Sequence, residues 1–364
     1  RGAKVDVVNA EGETALHAAQ GLRAVEDLLF ERKANVNLAF RDGSTLLHRA
    51  AKARDLEAMT RYLDRGANPN LKDAQGLTAL LVAEVGRELL LERGADVNAK
   101  FADGSTLLHR SVSHSDVTAA QLYFKHGADA NARDAAGRTP LHLISCLTGG
   151  EFFQLFVKRG ADVNARDNKG QTPLAVACTK KYWPVPLARL LLDAGADANL
   201  ADNDGWVPLL WAAAAEDSSE SQGVELVALL IQCGAKARVA NKDRLTPLHL
   251  ASFNGNLKVV RMLAENGADL EAAFDGGYTP LWKAKNLETI RLLLEKGASP
   301  DSALEDGRTR LHRAAYKGEK EIASLLLSYG ARVDTTSTST TDTGERVAGI
   351  TPLHHAAMMG ELEI

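Results

Sequence analysis

Apolar positions along this chain fall into pairs of short helical stripes. A narrow stripe such as Thr309–Ala315 (TRLHRAA) alternates with a denser ridge such as Ile290–Leu294 (IRLLL) or Ile322–Leu327 (IASLLL). Leu and Ala at this spacing put one apolar face on each predicted helix, and small Ala residues let neighbouring helices approach closely. Between a ridge and the next stripe lies a polar connector, for example Gly127–Thr139 (GADANARDAAGRT). Its Asp, Asn and Gly predict a β-turn or hairpin. The pattern therefore predicts turn, helix, turn, helix, many times over. One such unit cannot bury its apolar face alone, so successive units must stack.

Counting sharpens the period. Gly-Ala recurs at Gly2, Gly66, Gly94, Gly127, Gly160, Gly195, Gly234, Gly267, Gly297 and Gly330, with Lys33-Ala34 as a degenerate copy. Five of the ten successive spacings are 33 residues. A Thr-Pro-Leu-His-like tetrad begins 12 residues after each marker, except in the last unit, where the distance is 21. The tetrads start at Thr14, Thr45, Thr78, Thr106, Thr139, Thr172, Val207, Thr246, Thr279, Thr309 and Thr351. Thr suits a helix N-cap, Pro the first helical position and Gly the C-terminal cap. The connector is thus the rigid part, and length variation falls between the tetrad and the next Gly-Ala.

These residues resemble the ankyrin repeat, whose signature is D-x-x-G-x-T-P-L-H-x-A-A with a G-A-D-V-N ending. Asp134–Leu143 (DAAGRTPLHL) with Gly160–Asn164 (GADVN) matches it most fully, and Thr246–Ala251 (TPLHLA) matches well. Departures are local: Lys33 replaces a capping Gly, Val207 a capping Thr and Arg244 a finger Gly. Leu81, Ala175, Leu210 and Trp282 stand where His is expected. The expected fold is all-α, a solenoid of stacked antiparallel helix pairs with short hairpin fingers. Residues 1–334 read as one continuous stack, 335–350 as a Ser/Thr-rich extended connector and 351–364 as a truncated final repeat.

Composition adds exclusions. The 364 residues carry 43 Lys and Arg against 47 Asp and Glu, a formal charge of −4, which argues against nucleic-acid binding by bulk charge. No apolar stretch is long enough to span a bilayer. Cys146, Cys178 and Cys233 form no disulfide framework and no CxxC spacing, which favours a reducing cytoplasmic or nuclear compartment. Cys146 and Cys178 read as small buried or half-buried thiols. The chain begins without Met and stops inside a repeat, as a fragment of a longer protein would.

Seven of the ten histidines (His17, His48, His109, His142, His249, His312, His354) share one tetrad position. A residue recurring at the structural period is explained by hydrogen bonding between stacked units, not by metal or acid–base chemistry. Asp202-Asn203-Asp204-Gly205 resembles the start of a calcium loop but lacks the bidentate Glu, and its register is that of a connector turn. No catalytic residue, metal ligand, cofactor or small-molecule substrate is expected.

The resemblance implies partner binding on the concave face formed by first helices and fingers. The residue before each cap and the one seven after it face that side. In the N-terminal half these are mostly polar (Glu13, Ser44, Ser105, Lys52, Ser113, Arg138); further on they become Trp206, Leu245, Phe253, Tyr278 and Tyr316. Clustered aromatic residues on an exposed face suit a protein or peptide partner; partial burial between fingers is the alternative. A second candidate set is the finger tips Phe40, Phe101, Phe274 and Leu304, apolar groups where the family has Asp. Intramolecular packing is their alternative. Phe40, Phe101 and Leu304 follow shortened units, and Asp42–Arg49 repeats as Asp103–Arg110 (DGSTLLHR). The Glu216–Gly223 and Thr335–Gly349 insertions are too poor in apolar residues to order themselves cheaply and read as surface loops, with phosphorylation the alternative. The function expected is a non-catalytic interaction scaffold or adaptor; the alternative is a regulatory or targeting arm of a larger enzyme or channel.

Overall fold

The computed structural model describes residues 4–144, 149–179, 184–215, 220–340 and 346–360. Two compact units follow one another along the chain, Arg1–Asn168 and Lys169–Ile364.

The first unit holds five helix pairs: Ala15–Ala18 with Arg23–Glu31, Leu46–Lys52 with Leu56–Asp64, Ala79–Val82 with Arg87–Glu92, Leu107–Ser113 with Val117–Lys125, and Pro140–Leu143 with Gly149–Lys158. The second holds five more: Pro173–Cys178 with Pro184–Asp193, Pro208–Ala214 with Glu220–Gln232, Pro247–Asn254 with Leu257–Glu265, Pro280–Lys283 with Leu287–Glu295, and Arg310–Lys317 with Lys320–Ser328. Pro352–Met359 closes it. Each first helix starts immediately after its tetrad Thr or Val, which keeps an extended backbone as N-cap. Shortening is taken out of the first helix: Ala15–Ala18, Ala79–Val82 and Pro280–Lys283 are one turn long, where Pro247–Asn254 and Arg310–Lys317 each have 8 residues.

The core of each unit is the tetrad Leu, the Ala pair and the second-helix ridge. Leu47, Leu80, Leu108, Leu174, Leu209 and Leu248 are all essentially inaccessible, as are Leu90, Val260 and Leu293. Burying each such side chain stabilises the stack by roughly 1.5–3 kcal/mol.

The tetrad histidines join repeats, as the period requires. Nδ1 of His48, His109, His249 and His312 accepts from the backbone N–H of its own cap Thr at 3.1–3.2 Å. Nε2 donates across to the carbonyl before the next cap: Leu77 from His48, Arg138 from His109, Tyr278 from His249 and Ile350 from His312. A carbonyl can only accept, so Nε2 carries the proton and each ring is neutral. Where Leu81 replaces His, the buried Thr78 hydroxyl has no hydrogen-bond partner among the described residues.

Two further ladders tie the connectors together. Asn37, Asn70, Asn98 and Asn131 each accept from the main chain of the following connector and donate to the carbonyl of its Gly. At the finger tips, main-chain bonds run from Ala74 to Asp42, Ala135 to Asp103, Lys242 to Asp204 and Glu305 to Gly276. The approach is close: a Cβ on Gly104 would lie 2.6 Å from the Ala135 nitrogen. Lys33 and Arg244, which replace glycine, nonetheless hold φ at 62° and 64°.

Three expectations need correction or placement. Part of the Ser/Thr-rich connector is ordered: Ser337–Thr340 pairs antiparallel with Arg346–Ile350. It borrows order from its neighbour, since the Thr338 N–H donates to the Asp306 carbonyl at 2.8 Å. In the other insertion, Glu220–Gln232 is helical from Glu220 onward, while 216–219 lie outside the described residues. Cys178 is buried, which pushes its thiol pKa up to about 12, and Cys233 is exposed; Cys146 lies outside the described residues.

Candidate protein-binding face

Fingers and first helices place the candidate residues. In the finger of Trp206, Asp202 Oδ1 accepts from the Asp204 and Trp206 N–H groups at 3.0 and 2.8 Å. The apparent calcium loop is therefore a turn whose carboxylate is already committed to main-chain donors. Asn241 does the same for Leu245. Among the described residues, no group of three His, Cys, Asp or Glu side chains is placed to hold a metal ion.

All five first-choice residues lie in the second unit, in two settings. Trp206, Leu245 and Tyr278, the residues before the caps, are half-buried. Trp206 stacks on Trp211 with centroids 4.3 Å apart. Tyr278 meets Trp282 edge-on at 5.0 Å and carries the Lys283 ammonium 4.2 Å over its ring. The residues on the first helices are open: Phe253 is 60% exposed and Tyr316 50%. Between them stands the one-turn helix Pro280–Lys283, too short to reach the level of Phe253 and Tyr316. A groove of ≈ 1410 Å³ lies there, lined by Phe253, Trp282, Tyr316 and His355 among others.

Of the second-choice tips, Phe40 and Leu304 are buried and Phe101 and Phe274 half-buried. Phe40 is buried, stacked on the His17 ring at 3.8 Å with the Arg49 guanidinium 3.2 Å from its centroid. Leu304 is also buried. Phe101 lies under Arg110 at 4.8 Å, and Phe274 sits edge-on to His249 at 5.0 Å with Lys283 over it. The intramolecular-packing alternative fits these contacts: each residue occupies the first position of the Asp-x-x-Gly turn, where Phe40 and Phe274 meet the tetrad His of the preceding repeat. The duplicated DGSTLLHR segment now has a physical reason beside its origin, since Arg49 and Arg110 cover the same Phe in both copies.

Burial acts on the ladder and groove histidines in the same direction. Burial lowers the pKa of His17, His109 and His312, and takes that of His249 down to about 4. These rings stay neutral and structural. Burial lowers the pKa of His355 as well, and what sets this ring apart is its bonding: it lies at the groove, edge-on to His312 and Tyr316, and neither ring nitrogen has a partner among the described residues. Sequence reading missed Trp282 and His355 as groove residues, because one looked like a lost tetrad His and the other sits beside the tetrad. The shortened unit at Thr279 was the available signal.

The model for ankyrin repeats matches in overlapping segments from residue 47 to residue 364. SH3 and multiple ankyrin repeat domains protein 2 of Homo sapiens is 39% identical over 115 residues, covering 29% of this chain and 6% of that protein. SH3 and multiple ankyrin repeat domains protein 1 of Mus musculus is 40% identical over 109 residues, covering 28% and 5%. The E3 ubiquitin-protein ligase HACE1 of Danio rerio is 39% identical over 77 residues, covering 19% and 8%. The chain thus spans only a small part of the length of each of these proteins.

Proposed function

The chain belongs to the ankyrin-repeat family, and from that premise we propose that it is a non-catalytic interaction module that captures a protein segment on the first-helix side of its second unit. Repeats of this family bind proteins. The observation that carries the location is the pair Phe253 and Tyr316, both half or more exposed and separated by a helix one turn too short to cover them. Large aromatic side chains left in water are costly unless a partner takes them up. Trp206, Leu245 and Tyr278 shape the face beside them and hold its fingers.

Rigidity supports the same role. The His and Asn ladders fix the backbone before any partner arrives, so little ordering entropy is lost on docking. The test is a photo-crosslinking amino acid at position 253, with one at exposed Val25 of the first unit as control. Adducts from 253 alone are expected; equal adducts from both positions contradict the location.

A second reading is favoured by the match to an E3 ubiquitin-protein ligase: the repeats serve as the substrate-recruiting or regulatory arm of a larger enzyme. Sequencing the transcript on both sides of this segment decides it, through the presence or absence of a catalytic domain.

A further inference from the structure

The groove between Phe253 and Tyr316 is rich in positive charge. Among the described residues, six cationic side chains line it, Lys258, Lys283, Lys285, Arg308, Arg313 and Lys317, against one acid, Asp306. That acid is already held by Arg308 at 2.7 Å. Arg313 donates to the Trp282 carbonyl and Lys283 lies over Tyr278. Lys258, Lys285 and Lys317 are exposed and form no ion pair among the described residues. This concentration of positive charge stands out in a chain whose formal charge is −4.

Unpaired lysines scattered over a surface are ordinary solvated groups. Here they ring an aromatic notch, and that combination selects a ligand. Like charges gathered around a cleft raise a local potential that attracts the opposite charge. Phe253, Trp282 and Tyr316 supply apolar area for side-chain anchors. The groove also holds unsatisfied polar groups: the Trp282 indole N–H and both ring nitrogens of His355 have no partner among the described residues.

We infer that the occupant of this groove is an acidic peptide segment of a partner protein, with Asp or Glu side chains interleaved with apolar or aromatic ones. The inference rests on the protein-binding reading above and adds the chemistry of the partner. The carboxylates would sit against Lys258, Lys285 and Lys317, and the apolar anchors between Phe253 and Tyr316. A single-stranded nucleic acid offers the same charge and stacking. The peptide is favoured because the cations, drawn from three successive repeats, ring one notch and do not continue as a stripe along the fingers of the other repeats, as a long phosphate backbone would require.

The experiment uses the full chain and fluorescence anisotropy with three probes. These are a labelled peptide of alternating Glu, Leu, Asp and Phe, its twin with Gln and Asn for the acids, and labelled oligothymidine. The acidic peptide is expected to bind saturably, at least tenfold more tightly than the amide twin, and to weaken as salt rises. Lys285→Glu with Lys317→Glu is expected to cost at least tenfold while leaving the thermal midpoint unchanged, since both side chains are exposed. Phe253→Ala with Tyr316→Ala is expected to abolish binding. Equal binding of both peptides, still lost with the aromatic pair, would overturn the acidic preference and leave the binding face standing. Acidic-peptide binding insensitive to the aromatic pair would overturn both, and tighter binding of oligothymidine or no peptide binding would overturn the inference.

Discussion

The imidazole of His249 donates from Nε2 to the carbonyl of Tyr278 at 2.9 Å, so a ring buried in one repeat holds the main chain of a candidate contact residue in the next. The same ring accepts from its own cap, Thr246, at 3.2 Å. His249→Ala therefore strips the Thr246 backbone N–H and hydroxyl, and the Tyr278 carbonyl, of a buried partner. A loss of about 2 kcal/mol is expected by urea denaturation, together with weaker partner capture, because the Tyr278 finger loses this tie to the preceding repeat while Tyr278 keeps its bonds to Phe274.

That bond also predicts a pH dependence. Burial lowers the His249 pKa from 6.5 to about 4, so the unfolded chain binds this proton first. Its contribution to stability is complete above pH 6.5 and is lost as the pH falls through about 4. The full loss is roughly 3 kcal/mol for this one ring. His17, His109 and His312 shift in the same direction and add to the slope. Denaturation midpoints should fall between neutral pH and about pH 4, and less steeply in the His249→Ala variant.

Lys33 and Arg244 hold left-handed backbone at positions the repeat reserves for glycine, at φ 62° and 64°. An L side chain there costs roughly 1–2 kcal/mol relative to glycine. Lys33→Gly and Arg244→Gly should each raise stability by about 1 kcal/mol once the extra freedom of the unfolded glycine is offset. The sites lie in different units and are expected to be additive in thermal denaturation.

Phe40 is predicted to be a packing residue. Phe40→Ala removes the stack on His17 and the seat of the Arg49 guanidinium, and should cost about 3 kcal/mol. Crosslinking or binding to a partner should be unchanged at temperatures where the variant stays folded.

The repeat boundaries, the caps, the shared role of the histidines and the turn at Asp202 were all legible in the sequence, because each depends on local chemistry repeated at a fixed period. The inward packing of Phe40 and Leu304 was only an open alternative, because a turn position says nothing about which neighbour lies beneath it. Not legible was the pairing of Ser337–Thr340 with Arg346–Ile350, whose first strand is tied to the preceding finger by the bond from the Thr338 N–H to the Asp306 carbonyl. The groove was half legible: Phe253 and Tyr316 stood out, but its cations and His355 come together only when the short Pro280–Lys283 helix lets the flanking repeats enclose a notch.

The most direct measurement is partner capture by the intact chain and by a variant carrying Trp206→Ala, Phe253→Ala, Tyr278→Ala and Tyr316→Ala, with circular dichroism of both. The variant should keep its helicity and capture nothing that the original chain retains. Undiminished capture by a folded variant would contradict the proposed binding face.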